Sequence, residues 1–276
     1  MPFFPGCRGR IHYESRLPDV EVRSIVVLLH GYGEHLGLYD ALVRRLVADG
    51  HAVYAMDEVG HGRSDGERAV IPSWDVLVDD ARTLATLARA QHPGAALVVV
   101  GHSGGGLAAM LLALRSPDIA RALVLSAAPL RPLEWAEAEL ASGAAETPPG
   151  EPPEFLSTHP EYVHALLTDP LTWKGGFRRE TLLALTATWP EVAAGLEAGR
   201  PEVPVLLVHG DADPIVPLEV SQEVAQRLPR AQLRVFPGDL HDVLNEHDRD
   251  DVHDAVSAFV DAAFIDTTVG VQKIGG

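Results

Sequence analysis

A serine, a histidine and a choice of carboxylates lie on three separate stretches of this chain. Their order and surroundings are those of nucleophilic catalysis. The first stretch, Gly101-His102-Ser103-Gly104-Gly105, satisfies the G-x-S-x-G nucleophile elbow. A serine hydroxyl is a weak nucleophile at neutral pH until a base takes its proton and an acid orients that base. The second stretch, His209-Gly210-Asp211-Ala212-Asp213, offers two carboxylates, and the third, Pro237-Gly238-Asp239-Leu240-His241-Asp242, offers an imidazole. Serine, acid and histidine in that chain order are one of the known arrangements of a catalytic triad. His241, His247 and His253 are six residues apart, whereas two ligands on one helical face need a spacing of about 3 or 4. No metal site is expected, and no cofactor is implied.

The elements around these stretches are the ones that would position them. Leu97–Val100 reads as a buried strand and Gly104–Ser116 as a helix, with Leu107, Met110, Leu111 and Leu114 on one face. Ser103 therefore sits in a strand-to-helix turn whose strained backbone lifts the hydroxyl clear of the sheet. Gly101 and Gly105 stand where a Cβ would come too close. Ile25–Leu29, His51–Met56, Ala122–Leu125, Val203–Val208 and Gln232–Phe236 read as further strands. Tyr39–Asp49, Trp74–Gln91 and Asn245–Phe264 read as helices, and Gly9–Ser15 with Asp19–Val22 as an N-terminal hairpin. Strands alternating with helices specify a mostly parallel central sheet flanked by helices, an α/β fold. Both the acid and the histidine follow strand ends, on the same rim as Ser103.

From Pro129 to Arg200 strands vanish while helical runs persist, at Pro132–Leu140, Pro160–Leu167 and Arg179–Trp189. The expected organisation is a core of residues 1–128 and 201–265 with a helical cap insertion at 129–200. The proline-rich loop 147–154 interrupts the insertion, and 266–276 forms a frayed tail. Trp135, Trp173, Phe177 and Trp189 in the insertion are candidates to line a substrate tunnel or to pack the cap on the sheet. An apolar rim there would favour lipid-like substrates and at most transient contact with micelles or membranes.

Composition narrows the partners. The formal charge is −17, and two of the 22 basic residues are lysine, Lys174 and Lys273. Nucleic acid is a poor partner for such a surface. Cys7 is the lone cysteine, so no internal disulfide can form. No window is apolar enough to span a bilayer, and the N-terminus lacks a signal-peptide pattern. A cytoplasmic location is the expectation.

Five motifs in order, His30-Gly-x-Gly-Glu-His35, Asp57-x-x-Gly-His-Gly-x-Ser64, the elbow, His209-Gly-x-x-Asp213 and Gly238-x-x-His241-x-x-x-Asn-Glu246, resemble the monoacylglycerol lipase and lysophospholipase-like family of serine hydrolases. The resemblance runs from Gly9 to Phe264, and Asp169-Pro170-Leu171 is similar to part of that family's cap. It implies the α/β-hydrolase fold, Ser103 as nucleophile, His241 as general base and acid, and Asp213 as its orienting carboxylate. Asp211 then suits a turn, and His247 and His253 suit the surface of the closing helix. The oxyanion hole would use the backbone N–H of Gly104, after the nucleophile, and by resemblance that of Tyr32. His30, His35, His61 and Glu34 read as loop braces and His102 as a packed structural residue.

The family usually carries Met or another larger residue at Gly104, and often a small or aliphatic one at Tyr32. The expected consequence is a reshaped acyl pocket, with Tyr32 partly refilling the space that Gly104 vacates. Carboxylic-ester hydrolysis, with monoacylglycerols as the substrate implied by resemblance, is the leading expectation. Thioester, amide or peptide hydrolysis on the same triad, and a ligand-binding protein on this fold, are the alternatives.

Overall fold

The computed structural model describes residues 2–144, 147 and 153–271. Eight strands form one sheet: β1 (Phe3–Gly6), β2 (Gly9–Arg16), β3 (Ser24–Leu29), β4 (His51–Met56), β5 (Ala96–His102), β6 (Ala122–Ser126), β7 (Val205–Gly210) and β8 (Ala231–Phe236). Their order is β1-β2-β4-β3-β5-β6-β7-β8. β1 and β2 pair antiparallel, as do β2 and β4, and every later pairing is parallel.

Helices cover both faces because the central strands are apolar on both sides. In β3, Ile25, Val27 and Leu29 enter one core while Val26 and Leu28 enter the other, and Leu97 and Val99 of β5 alternate with Val98 and Val100 in the same way. α2 (Trp74–Gln91), α3 (Ser103–Arg115) and α8 (Leu218–Arg227) pack on the first face, α1 (Asp40–Ala48) and α9 (Arg249–Val271) on the second. Between β6 and β7 the chain leaves the sheet to form α4 (Glu134–Ser142), α5 (Pro160–Thr168), α6 (Arg179–Thr186) and α7 (Trp189–Glu197).

Three sequence expectations differ from the structure, and one element was not expected. Asp19–Val22 is not a strand, and the hairpin partner of Gly9–Arg16 is Phe3–Gly6, in register Phe4 to Ile11. Phe4 and Ile11 are buried while Asp19, Val20 and Glu21 are exposed, so burial selects the earlier segment. Pro5 is tolerated because β1 is an edge strand with one side unpaired. The single helix expected over Arg179–Trp189 is two, broken at Ala187–Thr188, with Pro190 in the first turn of α7. α8 is an element the sequence reading omitted. The closing helix begins later than expected and continues past Phe264 to Val271. The expected loop at 147–154 falls largely outside the described residues, which omit 148–152; of the expected frayed tail at 266–276, residues 266–271 instead belong to the closing helix and 272–276 lie outside the described residues.

Candidate active site

The elbow forms where the sequence puts it. β5 ends at His102 and α3 begins at Ser103, whose φ of +49° is a left-handed conformation costly for a residue with a Cβ. The neighbouring glycines permit the crossing. A Cβ on Gly101 would lie 2.4 Å from the Gly105 carbonyl oxygen, and one on Gly105 would lie 2.4 Å from that of His30.

Ser103 Oγ stands 2.9 Å from His241 Nε2, and His241 Nδ1 stands 2.8 Å from Asp213 Oδ2. Since a carboxylate only accepts, Nδ1 carries the proton and Nε2 is left to accept from the serine hydroxyl. Asp213 is itself fixed: its Oδ1 accepts from the N–H groups of Ile215 and Val216 at 2.8 and 3.0 Å. His209 Nε2 donates to the Val216 carbonyl at 2.8 Å and lies 3.1 Å from Asp213 Oδ2, while its Nδ1 accepts from Ser221. The sequence reading included His209 in a motif without giving it a role. It locks the loop that holds the acid. The three side chains expected to meet are therefore brought together, and Asp211 instead accepts from the Gly238 N–H, bracing a turn.

Burial disfavours charge on both members of the His–Asp pair, but they stabilise each other. Burial alone would push the Asp213 carboxyl up; His241, His209 and the Val216 N–H overcome this and hold it far below the usual carboxylate range. Burial likewise disfavours the imidazolium of His241, yet Asp213, by its charge and its hydrogen bond, and then the Glu34 carboxylate raise its proton affinity above that of free histidine. The environment thus suits an imidazole that must receive a proton during attack and release it afterwards.

The 31–35 loop lies against Ser103. A Cβ on Gly31 would sit 3.3 Å from Ser103 Cβ and 2.9 Å from His102 Cδ2. Beside Gly104 there is room, since a Cβ there would find Trp74 Cζ2 at 3.5 Å and the backbone nitrogen of Tyr32 at 3.9 Å. Tyr32 N and the start of α3 are therefore neighbours, as an oxyanion hole between the Tyr32 and Gly104 amides requires. The expectation that the Tyr32 side chain refills the space at Gly104 is corrected. Trp74, donating its indole N–H to the Gly104 carbonyl at 3.2 Å, stands there, and the Tyr32 ring turns toward the insertion.

A cavity of about 420 Å³ opens over Ser103 and His241, walled by Tyr32, Trp173, Phe177, Leu156, Leu166, Leu167 and Ile215. Trp135 and Trp189 do not border it. Trp189 is buried and donates to the Pro129 carbonyl, and Trp135 stands behind Phe177, at 5.0 Å between centroids, donating to the Ile215 carbonyl. The aliphatic wall of Leu156, Leu166, Leu167 and Ile215 is what the sequence reading missed, because leucine spacing alone does not say which way an insertion faces.

Behind His241 lies a buried polar group of Glu34, His102 and Asp242, whose ligand atoms fall within 4.8 Å of one another. Glu34 accepts from Gly31 N at 2.8 Å, from Tyr162 at 2.6 Å and from Tyr39. Burial raises its pKa, but His102 and the two tyrosines outweigh this and hold it at about 2. Burial and then Glu34 push Asp242 up to about 8, so one carboxyl is ionised and its neighbour neutral at pH 7. His102 contacts Ser126 Oγ at 3.1 Å and, pressed down by burial, stays neutral. His30 accepts from Glu58 N at 2.9 Å, His61 lies 2.9 Å from the Val59 carbonyl, and His35 accepts from Gly37 N at 3.1 Å, each bracing a loop.

The family model described as Hydrolase_4, serine aminopeptidase S33, matches residues 20–248. The chain belongs to this family and is a serine hydrolase of α/β-hydrolase fold. A monoacylglycerol lipase of Mycolicibacterium smegmatis is 36% identical over 272 residues, covering 93% of this chain and 95% of the relative. The crystal structure of the Paleococcus ferrophilus monoacylglycerol lipase superposes with a TM-score of 0.79 at 25% identity, covering 92% and 99% of the two chains. A soluble variant of the Saccharomyces cerevisiae monoglyceride lipase, in complex with a substrate analog, shares the fold with a TM-score of 0.81 at 18% identity, covering 95% and 94%. By class the chain is a carboxylic ester hydrolase.

Proposed function

We propose that this chain hydrolyses monoacylglycerols and related lipid-like esters through an acyl-enzyme on Ser103. The observation that carries the reading is the relay from Ser103 Oγ through His241 to Asp213, at 2.9 and 2.8 Å, beneath a largely apolar cavity. In this reading Ser103 attacks the ester carbonyl as His241 accepts its proton. The Tyr32 and Gly104 amides receive the developing oxyanion. His241 then protonates the departing alcohol, a water enters, and the same imidazole activates it to release the acid. The reaction needs no cofactor in this scheme.

The insertion acts as a cap: residues of α5 and of the loop before α6 wall the cavity that the core floors. Leu167, half-exposed on the cavity rim, would touch a micelle or membrane transiently during substrate entry. Among the described residues no helix is long and apolar enough to cross a membrane, and a lone exposed Cys7 suits a reducing cytoplasm. The description of the family as serine aminopeptidase makes an amide the second bond to test.

The test is hydrolysis of a monoacylglycerol series, with simple alkyl esters and matched amides, by the wild type and by Ser103→Ala. Wild-type protein is expected to prefer monoacylglycerols, and Ser103→Ala, folded normally, to lose at least ~10⁴-fold in kcat. Full activity in Ser103→Ala would refute the nucleophile assignment, and amide turnover without ester turnover would replace the substrate class.

A further inference from the structure

We propose that the Tyr32 side chain is a specificity-determining residue that sets the acyl length the cavity accepts, by walling it and pinning the loop of the insertion that completes the wall. The inference rests on the ester-hydrolase reading above and extends it to a residue whose side chain that mechanism does not use.

The Tyr32 ring stacks on Phe177 with centroids 4.4 Å apart and planes inclined by 15°. Both rings face the cavity over Ser103. The Tyr32 hydroxyl then reaches beyond the ring in two directions. It donates toward the Ala69 carbonyl at 3.0 Å and the Gly176 carbonyl at 3.1 Å, and it accepts from the Arg178 N–H at 3.2 Å. One oxygen thus ties a core loop to both sides of Phe177. The adjoining residue adds to the tie, since the Gly33 carbonyl accepts from the Trp173 N–H at 2.7 Å. Trp173 in turn donates its indole N–H to the Gly176 carbonyl at 2.8 Å. Residues 173–178 are held against the 31–34 loop from both ends.

Reaction geometry assigns this wall to the acyl chain. His241 must face the leaving oxygen to protonate it, so the side of the cavity that its imidazole lines goes to the alcohol. The apolar walls, aromatic at Tyr32 and Phe177 and aliphatic at Leu156, Leu166, Leu167 and Ile215, are left for methylenes, for which apolar contact is the favourable surround. A smaller residue at 32 removes one ring from the wall and releases the loop bearing the other.

The experiment measures kcat and KM for p-nitrophenyl esters from acetate to palmitate, and for acetate esters of alcohols of increasing length. The wild type is compared with Tyr32→Val, Tyr32→Phe and Phe177→Ala. Tyr32→Val and Phe177→Ala, which open the same wall from opposite sides, are expected to move the acyl optimum to longer chains. The ratio of kcat/KM for the longest to the shortest ester should rise ~10-fold or more, with the alcohol series unchanged in rank. Tyr32→Phe keeps the ring and so the optimum, but should speed amide hydrogen exchange across 173–178. An acyl profile identical to wild type in both Tyr32→Val and Phe177→Ala would overturn the proposal, as would a shift confined to the alcohol series. Fluorophosphonate labelling of wild-type Ser103 separates the two readings. If the wild type labels and cleaves short esters while the profiles coincide, only the role of Tyr32 falls. If it neither labels nor cleaves, the hydrolase reading falls and takes this one with it.

Discussion

At the scale of single residues, the proposed reaction turns on a proton. The imidazole of His241 must be neutral at Nε2 to accept from Ser103, and Asp213 raises its pKa above the ordinary histidine value. A raised pKa means that the catalytic form is lost earlier as pH falls. The acid limb of kcat/KM should therefore have its midpoint above about 6.5. Replacing Asp213 by Asn removes the charge that raises it and favours the wrong tautomer. The midpoint should move to lower pH and kcat should drop by ~10³–10⁴. A pH–rate profile of both proteins checks this, and an unmoved midpoint would contradict the pairing. These residues were legible because a serine on an elbow carries its own punctuation: an apolar strand before it, a helix after it, glycines two residues to either side. The lining of the cavity carries no such mark. Three tryptophans in the insertion look alike in sequence, yet Trp173 faces the cavity, Trp189 faces the core and Trp135 backs Phe177.

Elements set where these residues stand, and the elbow glycines show how closely. Gly104 and Gly105 are adjacent in the first turn of α3 but differ in surroundings. A Cβ at 105 would press on the carbonyl oxygens of His30 and Leu29 at 2.4 and 2.5 Å, and both are backbone that cannot swing aside. A Cβ at 104 meets nothing closer than 3.5 Å. Gly105→Ala should lose about 2 kcal/mol or more in denaturant unfolding, within the range of overpacked cores. Gly104→Ala should gain about 0.5–1 kcal/mol from helix propensity. Equal effects of the two would contradict the packing described for the β5–α3 crossing. The parallel strands were legible because each is a short apolar run ending at a turn signal. The elements that escaped lacked one of these marks. Pro5 makes β1 read as a non-strand, and the break between α6 and α7 at Ala187–Thr188 has no glycine to announce it.

Across the whole molecule, the insertion and the core are joined through buried polar contacts as well as apolar packing. Tyr162 of α5 donates to Glu34 at 2.6 Å, and His35 Nε2 lies 3.3 Å from Asp169. Beneath them Asp242 is held neutral, with a pKa pushed up to about 8 by burial and by Glu34. A carboxyl whose folded pKa is raised stabilises the fold fully below its unfolded value. That contribution is lost as pH rises toward 8. Asp242→Asn, which keeps the neutral amide shape, should therefore be more stable than wild type at pH 8. A Tm gain of ~2–4 °C per kcal/mol is expected, shrinking as pH approaches 4. Thermal unfolding at several pH values checks it, and a gain independent of pH would contradict a neutral Asp242. None of this coupling was legible beforehand, since Glu34 and Asp242 are 208 positions apart and only the folded chain brings them together.

The most direct test of the central claim is the rate and site of covalent labelling by a fluorophosphonate, read by intact mass and peptide mapping. The wild type should take up one equivalent on Ser103, with a rate that falls at acid pH as His241 protonates, and His241→Ala should label at least ~10²-fold more slowly. Uptake on another residue, or labelling of Ser103 at equal rates with and without His241, would contradict the account.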